Sequence, residues 1–420
     1  MRILMICLAL LTALSSSTYA QDILIPMDAH QQNHLKAYGI AYWTLTQGQD
    51  VDWLLNYRGG SFLTAYFPEL EKELLIRGIS FEKLSPAQSS QLISELSRED
   101  ANTHVVRLEK APRIAVYAPK QTLPWDDAVL LVLTYAEIPY DMLYDEEVLA
   151  GKLAEYDWLH LHHEDFTGQY GKFWAVYRNQ PWFIEQQRQA EARAKKLGFK
   201  KVSQLKLAVA LAIREYVGNG GFLFAMCSGT DTFDIALAAI HTDIVPREFD
   251  GDPVDPDALE KLDYSQTFAF TNFTPNFNPA EYEHSDIDVT PPPQLRNPLT
   301  DYFTLFQFSA RWDPIPTMLT QNHVATIKGF MGQTTSFRKS LIKPGITILA
   351  EAPGRNAVRY LTGLYGEGFF TFYGGHDPED YQHFVGDPPT DLALHPNSPG
   401  YRLILNNVLF PAARKQKRKT

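Results

Sequence analysis

Three groups of residues in this chain have the types and spacing that chemistry requires. The first is Ala225-Met226-Cys227-Ser228-Gly229, where an apolar run gives way to small residues. This pattern predicts a strand that ends in a tight turn and opens a helix, the setting in which a nucleophile sits on strained backbone with room for a substrate. The positive end of such a helix favours a thiolate, and Ser228 and Gly229 supply turn or oxyanion N–H groups. The second group is Phe372-Tyr373-Gly374-Gly375-His376-Asp377-Pro378-Glu379, an apolar strand that ends in glycines and then presents imidazole. His376 is the expected base, and Asp377 or Glu379 the carboxylate that holds its other nitrogen. Together these residues would attack an amide or carbonyl carbon, with Cys227 as nucleophile and His376 moving the proton. The opposing reading is that Cys227 only packs, as free cysteines often do, and that His376 is structural.

The third group is His160-Leu161-His162-His163-Glu164-Asp165-Phe166-Thr167-Gly168. His160 and His162 alternate onto one face of a strand, and the residues after them fall at its carboxyl end. His162, His163 and Glu164 are expected on the substrate side, against the plainer reading of a satisfied polar strand end. Spacing alone names no definite ligand set, so neither a metal nor a cofactor is expected. Arg58, in Arg58-Gly59-Gly60-Ser61, either places an anion or simply makes a turn.

The elements that must position these residues are legible in outline. Residues 21–111 read as a small N-terminal α/β unit, with helices expected over 34–45, 69–77 and 85–97 and a strand over 51–57. From residue 112 to 420, short apolar strands alternate with helices. Strands are expected over 113–118, 140–144, 158–162, 222–226 and 346–351, and a hairpin over 357–373 turning at Gly366. Helices are expected over 126–136, 205–217 and 230–239. This alternation predicts an α/β fold with a flavodoxin-like, doubly wound, mostly parallel sheet, whose chemistry gathers beyond the carboxyl ends of the strands. Two insertions interrupt it: 171–200, whose charged helical part forms a lid or a surface helix, and 243–343, a loop-rich stretch of Pro, Asn and aromatics.

Composition narrows the function. A chain of 420 residues with 45% hydrophobic and 21% charged residues is globular, and a net charge of −11 without a basic face excludes nucleic-acid binding. The basic tail at 414–419 reads as a solvated terminus. Residues 1–20 look like a cleavable signal peptide, which predicts a secreted or periplasmic protein. Removing them takes away Cys7 and leaves Cys227 as one thiol of two, so no internal disulfide is expected. No later stretch is long and apolar enough to span a bilayer. The expected partner is a small amide or polar substrate, and the sequence does not set the oligomeric state.

The small-x-Cys-x-Gly turn, with the later strand and its His-x-x-Glu ending, resembles the class I glutamine amidotransferase superfamily. Phe372-Tyr373-Gly374-Gly375-His376-Asp377 is also similar to ThuA-like domains of that superfamily, many of which lack the cysteine. The likeness covers about 113–240 and 346–410. It implies a Cys-His-Glu triad of Cys227, His376 and Glu379 on a flavodoxin-like sheet, or else a non-catalytic binding domain for carbohydrate or another polar ligand. The chain departs from the pattern at Ala225, at the His-to-Glu spacing, and at 160–168, where the family carries a glycine-rich oxyanion loop. The whole chain resembles an exported Bacteroidetes family often labelled asparagine synthetase B, on the strength of 33–39 and 55–62. Synthetase activity itself is not expected. The terminus after signal removal is Gln21, not cysteine, and Ser228-Gly229-Thr230-Asp231-Thr232 is a residue short of the ATP loop.

Overall fold

The computed structural model describes residues 21–120, 125–382 and 384–413. Residues 1–20, expected as a signal peptide and including Cys7, lie outside the described residues, as do Pro124 and the basic tail. The N-terminal unit contains strands β1 (Asp22–Ile25), β2 (Val51–Leu55), β3 (Ser61–Ala65), β4 (Glu82–Leu84) and β5 (His104–Leu108). They form an antiparallel sheet in the order β4-β1-β3-β2-β5. All three expected helices are present, as His34–Thr46, Pro68–Ile76 and Pro86–Leu96. The first is capped by the Asn33 side chain and the third by a reciprocal Ser85–Gln88 capping box, so both start where a local acceptor satisfies the exposed N–H groups.

The main sheet is built from β6 (Ile114–Tyr117), β7 (Asp141–Leu143), β8 (Trp158–Leu161), β9 (Phe222–Met226), β10 (Tyr302–Leu305), β11 (Thr326–Lys328), β12 (Phe337–Arg338), β13 (Thr347–Glu351), β14 (Ala357–Tyr365) and β15 (Gly368–Tyr373). Its order is β11-β10-β13-β14-β15-β9-β8-β6-β7, with β12 on β14. This corrects the flavodoxin-like, mostly parallel expectation. Pairings from β7 through β6, β8 and β9 to β15 are parallel, but every pairing beyond β15 is antiparallel. The cause is the β14–β15 hairpin, which reverses the chain at Gly366 (φ 59°) and pairs antiparallel of necessity. Residues 243–343, expected as loops, then supply β10, β11 and β12, which continue that half. The result is a ten-stranded mixed sheet beside a five-stranded antiparallel one.

Successive side chains of the central strands enter opposite cores, as strand geometry demands. Ile114, Val116, Trp158, Phe222, Phe224 and Met226 share one core with Ile23, Tyr38, Trp53 and Phe62 of the N-terminal unit. Ala115, Leu159, Leu161, Leu223, Phe370 and Phe372 pack on the other face, against the helices Val202–Gly218 and Ser228–Ala238 and against Phe268 and Phe270. A helix that the sequence reading missed, Pro399–Leu409, wedges into the first core with every residue from Gly400 to Leu409 buried. Its Arg402 donates to the carbonyls of Met27 (3.0 Å) and Gly59 (2.7 Å), and Asn406 accepts from Tyr38 Oη (2.5 Å). Among the described residues, no helix is long and apolar enough to cross a membrane.

One core therefore serves both sheets. Leu405→Ala, at a fully buried position of that wedge, should cost about 2–5 kcal/mol. Urea unfolding followed separately by far-ultraviolet dichroism and tryptophan fluorescence should show one coincident transition, shifted as a whole; two separated transitions would mean that the units unfold independently.

Candidate active site at the carboxyl ends of β8, β9 and β15

Parallel pairing of β15 with β9 sets Tyr373 beside Met226, so Cys227 and the Gly374-Gly375-His376 segment leave neighbouring strand ends. Cys227 has φ 49° and ψ −139°, left-handed backbone that a residue with a side chain rarely adopts, and the helix Ser228–Ala238 begins immediately after it. The turn is fastened on both sides. Cys227 N–H donates to Gly375 O (3.2 Å), and Gly229 N–H donates to His162 O (2.7 Å). A Cβ on residue 229 would fall 2.8 Å from that carbonyl, which is why glycine stands there. The Gly229 N–H is thus occupied in holding the turn. Ser228 N–H acts on the sulfur itself.

The groups around Cys227 Sγ come largely from a segment that the sequence reading passed over. Gln333 N–H donates to the sulfur at 3.2 Å, and Thr334 N–H also acts on it. Gln333 Nε2 in turn donates to Gly171 O (2.5 Å) and Tyr282 O (3.3 Å), tying three loops over the thiol. The 171 loop is strained, with Tyr170, Gly171 and Lys172 all at positive φ, and Lys172 Nζ is held by the carbonyls of Asn276 and Glu283. The 330–336 segment is anchored from below by fully buried Arg359, which donates to Phe330 O (2.8 Å), Thr335 O (3.0 Å) and Asp301 Oδ2 (2.6 Å). Under this cover Cys227 is 3% exposed. Burial pushes its thiol up to about 11, although the three N–H groups pull the other way. The expected activation by the helix end is present but outweighed.

His376 N–H donates to Met331 O (2.9 Å), and its ring packs 4.7 Å from His162 and 4.6 Å from His163, centroid to centroid. His162 and His163 stack at 3.9 Å. His163 Nε2–H donates to the Asp126 carbonyl at 2.6 Å. Asp127 Oδ1 lies 3.1 Å from His162 Nδ1 and 3.4 Å from His160 Nε2, and also accepts the N–H groups of Val129 and Leu130 at the start of the helix Ala128–Tyr135. Burial disfavours the Asp127 carboxylate, but the two histidines hold its acid well below the usual range. His160 itself is a core residue, packed against Trp158 and Phe224, which also stack on each other, and bonded to Phe224 O.

The remaining sequence candidates are placed elsewhere. Glu164 Oε2 accepts from Lys206 Nζ (3.0 Å) and Tyr144 Oη (3.2 Å) in a buried network with Asp145 and Tyr117. Asp377 Oδ1 accepts the N–H groups of Glu379 and Asp380, shaping the turn after the strand. Glu379 Oε2 sits 3.3 Å from His395 Nδ1. Arg58 is bonded to Asp28 and Glu82, both at 2.7 Å, within the N-terminal unit. Gln333, Thr334, Tyr282 and Asp127 were missed. The one local signal for the first two was the glycine pair of Gly329-Phe330-Met331-Gly332, of which Gly332 packs so closely that a Cβ there would meet His376 N at 2.8 Å.

No protein-family model matches the chain, and no curated protein matches it. Among solved structures it is similar to two cytoplasmic proteins of Salmonella typhimurium. These are STM3548, at 13% identity and TM-score 0.34 over 72% of this chain and 100% of that one, and STM1381, at 12% and 0.36 over 72% and 99%. It also matches Gan42B, a GH42 β-galactosidase, at 12% identity and TM-score 0.29 over 64% of this chain and 28% of the enzyme. Likeness this loose carries no argument about function.

The raised thiol gives a signed expectation. Iodoacetamide should label Cys227 slowly near neutral pH, and the rate should climb roughly tenfold per pH unit through pH 9 and 10, levelling only near 11. A plateau below pH 8.5 would contradict the burial argument. Gln333→Ala, which unties the three loops, should speed labelling at every pH.

Proposed function

We propose that the protein is an exported, cysteine-dependent hydrolase or transferase acting on an amide or related acyl substrate. The observation that carries this reading is the Cys227 turn. Left-handed backbone at a residue with a side chain costs of order 1–3 kcal/mol and persists where the surrounding structure enforces it, most often at functional sites. Here the enforcement is explicit, through Gly375 O on one side and His162 O on the other. The resemblance of the turn to amidotransferase elbows supports the same reading.

In this reading Cys227 Sγ attacks the acyl carbon, His376 receives the thiol proton and returns it to the leaving group, and the N–H groups of Ser228, Gln333 and Thr334, which act on the sulfur at rest, are the candidate donors to the developing oxyanion. A thiol held near 11 is not a standing thiolate, so deprotonation belongs to the attack itself and depends on the base. The cover through Gln333 must open for a substrate to enter. The alternative, a non-catalytic domain that binds a carbohydrate or other polar ligand, is favoured by the same 3% exposure and raised thiol.

A panel of amides, esters and thioesters assayed with wild type, Cys227→Ala and His376→Ala separates the two. Catalysis predicts that Cys227→Ala falls to the buffer rate and that His376→Ala loses about 10²–10⁴-fold in kcat. Turnover that survives Cys227→Ala, or ligand binding with no turnover in wild type, would favour the binding domain.

A further inference from the structure

We infer that His162, His163 and His376 form a binding site for one divalent transition-metal ion of the zinc or cobalt class. One nitrogen from each ring can be chosen so that all three lie within 4.8 Å of one another. The hydrogen bonds bear on which nitrogens keep a lone pair. A carbonyl oxygen only accepts, so His163 Nε2, 2.6 Å from Asp126 O, carries the proton and leaves Nδ1 with a lone pair. His162 Nδ1 lies 3.1 Å from the Asp127 carboxylate oxygen, outside hydrogen-bond geometry, and a proton drawn to that side leaves Nε2 with the lone pair. That Nε2 is buried on a residue 1% exposed and has no hydrogen-bond partner among the described residues. A buried imidazole lone pair left in this way is costly unless something occupies it.

The supporting shell is the one metal sites use. Ligating histidines characteristically donate their other ring N–H to a carboxylate or a backbone carbonyl, which fixes the tautomer and the ring orientation. His163 has such a carbonyl in Asp126 O, and the carboxylate nearest His162 Nδ1, that of Asp127, is itself fixed by capping the helix Ala128–Tyr135. A tetrahedral ion with metal–nitrogen distances of about 2.0–2.1 Å sets its ligands about 3.4 Å apart, so nitrogens that lie within 4.8 Å need close by at most about 1.4 Å. Three neutral imidazoles leave a fourth position open to water or substrate. His163 is the half-buried member of the three; His162 and His376 are buried. Two other groupings lie as close among the described residues: Asp127, His160 and His162, which shares His162 and whose His160 is bonded to Phe224 O, and Asp243, Asp250 and Asp252, already occupied by Lys201 Nζ.

A metal here takes His376 as a ligand and withdraws it from proton transfer. A loaded site should therefore slow acyl turnover, a corollary that rests on the cysteine reading, whereas the binding itself does not.

The test uses untagged, chelator-treated full-length protein titrated with Co²⁺, followed by visible d–d absorption, and with Zn²⁺, followed by calorimetry. The expected result is one equivalent with the intense bands of a four-coordinate ion. His163→Gln should weaken binding more than a hundredfold, and Asp127→Asn about 10–100-fold. His163→Gln is the decisive variant because that residue is only half-buried; unchanged dichroism and melting temperature certify its fold. Absence of saturable binding by wild type overturns the proposal. So does binding by folded His163→Gln equal to wild type, or binding abolished instead by Asp243→Asn. Slowed turnover on adding Zn²⁺, restored by chelator, tests the corollary. Absence of turnover in every form counts against the cysteine reading and leaves the spectroscopic result intact.

Discussion

The parallel pairing of β9 with β15 is the constraint on which the rest of the site depends. These strands are far apart in sequence, and their register, Met226 against Tyr373, places the two strand exits side by side. Without it the Cys227 turn would lose the Gly375 carbonyl that holds its N–H, and the His376 ring would lose its place against β8. The pairing is secured by burial on both faces, since Phe224 and Met226 point into one core and Leu223 and Phe372 into the other. Burying a side chain of this size is worth about 1.5–3 kcal/mol. Residues packed in this way hold register more firmly than any hydrogen bond at the site could.

A second fixed point governs the cover. Arg359 and Asp301 are both fully buried, and Asp301 also accepts from Arg355 and from Tyr381 Oη. Leaving either member of such a pair alone in the interior typically costs 3–5 kcal/mol. The two charges therefore stay together, and with them the carbonyls of Phe330 and Thr335 that flank Gln333 and Thr334. A loop that would otherwise wander is fixed at both ends by one guanidinium. Its burial of the sulfur follows from that anchorage.

The sequence showed local structure well and long-range assembly poorly. The strand-turn-helix at 222–238 and the glycine exit at 374–375 were legible because each is written in consecutive residues. The hairpin at Gly366 was legible too, but its consequence for sheet direction depends on what pairs with β14, and β13, β10 and β11 come from separate stretches of chain. Strands as short as Tyr302–Leu305 and Thr326–Lys328 show too few residues for alternation to stand out among prolines and asparagines. The wedge helix Pro399–Leu409 was missed although Arg402 and Asn406, four residues apart, mark one side of it. In the site, His162, His163 and His376 were each picked out, yet nothing in their spacing said that the three rings would meet. The carboxylates at 377 and 379 were assigned by proximity in sequence, and the partners they take are set by turns and by His395 instead.

The wedge helix has one more implication, which concerns the order of events in time. A chain emerges from the ribosome, or through any pore, from its N-terminus, and the first sheet is complete by residue 108. The surface that Tyr38 and the Arg58-Gly59 loop present at that moment is finished only by Arg402 and Asn406, roughly 300 residues later. Contacts this distant in sequence are slow to form, because the entropy of the intervening chain is lost before they contribute. The first unit must therefore wait, with part of its apolar face uncovered, for the last helix to arrive. This delays commitment to the native state until synthesis is nearly over, and it makes the newborn N-terminal quarter the stretch most in need of protection from aggregation.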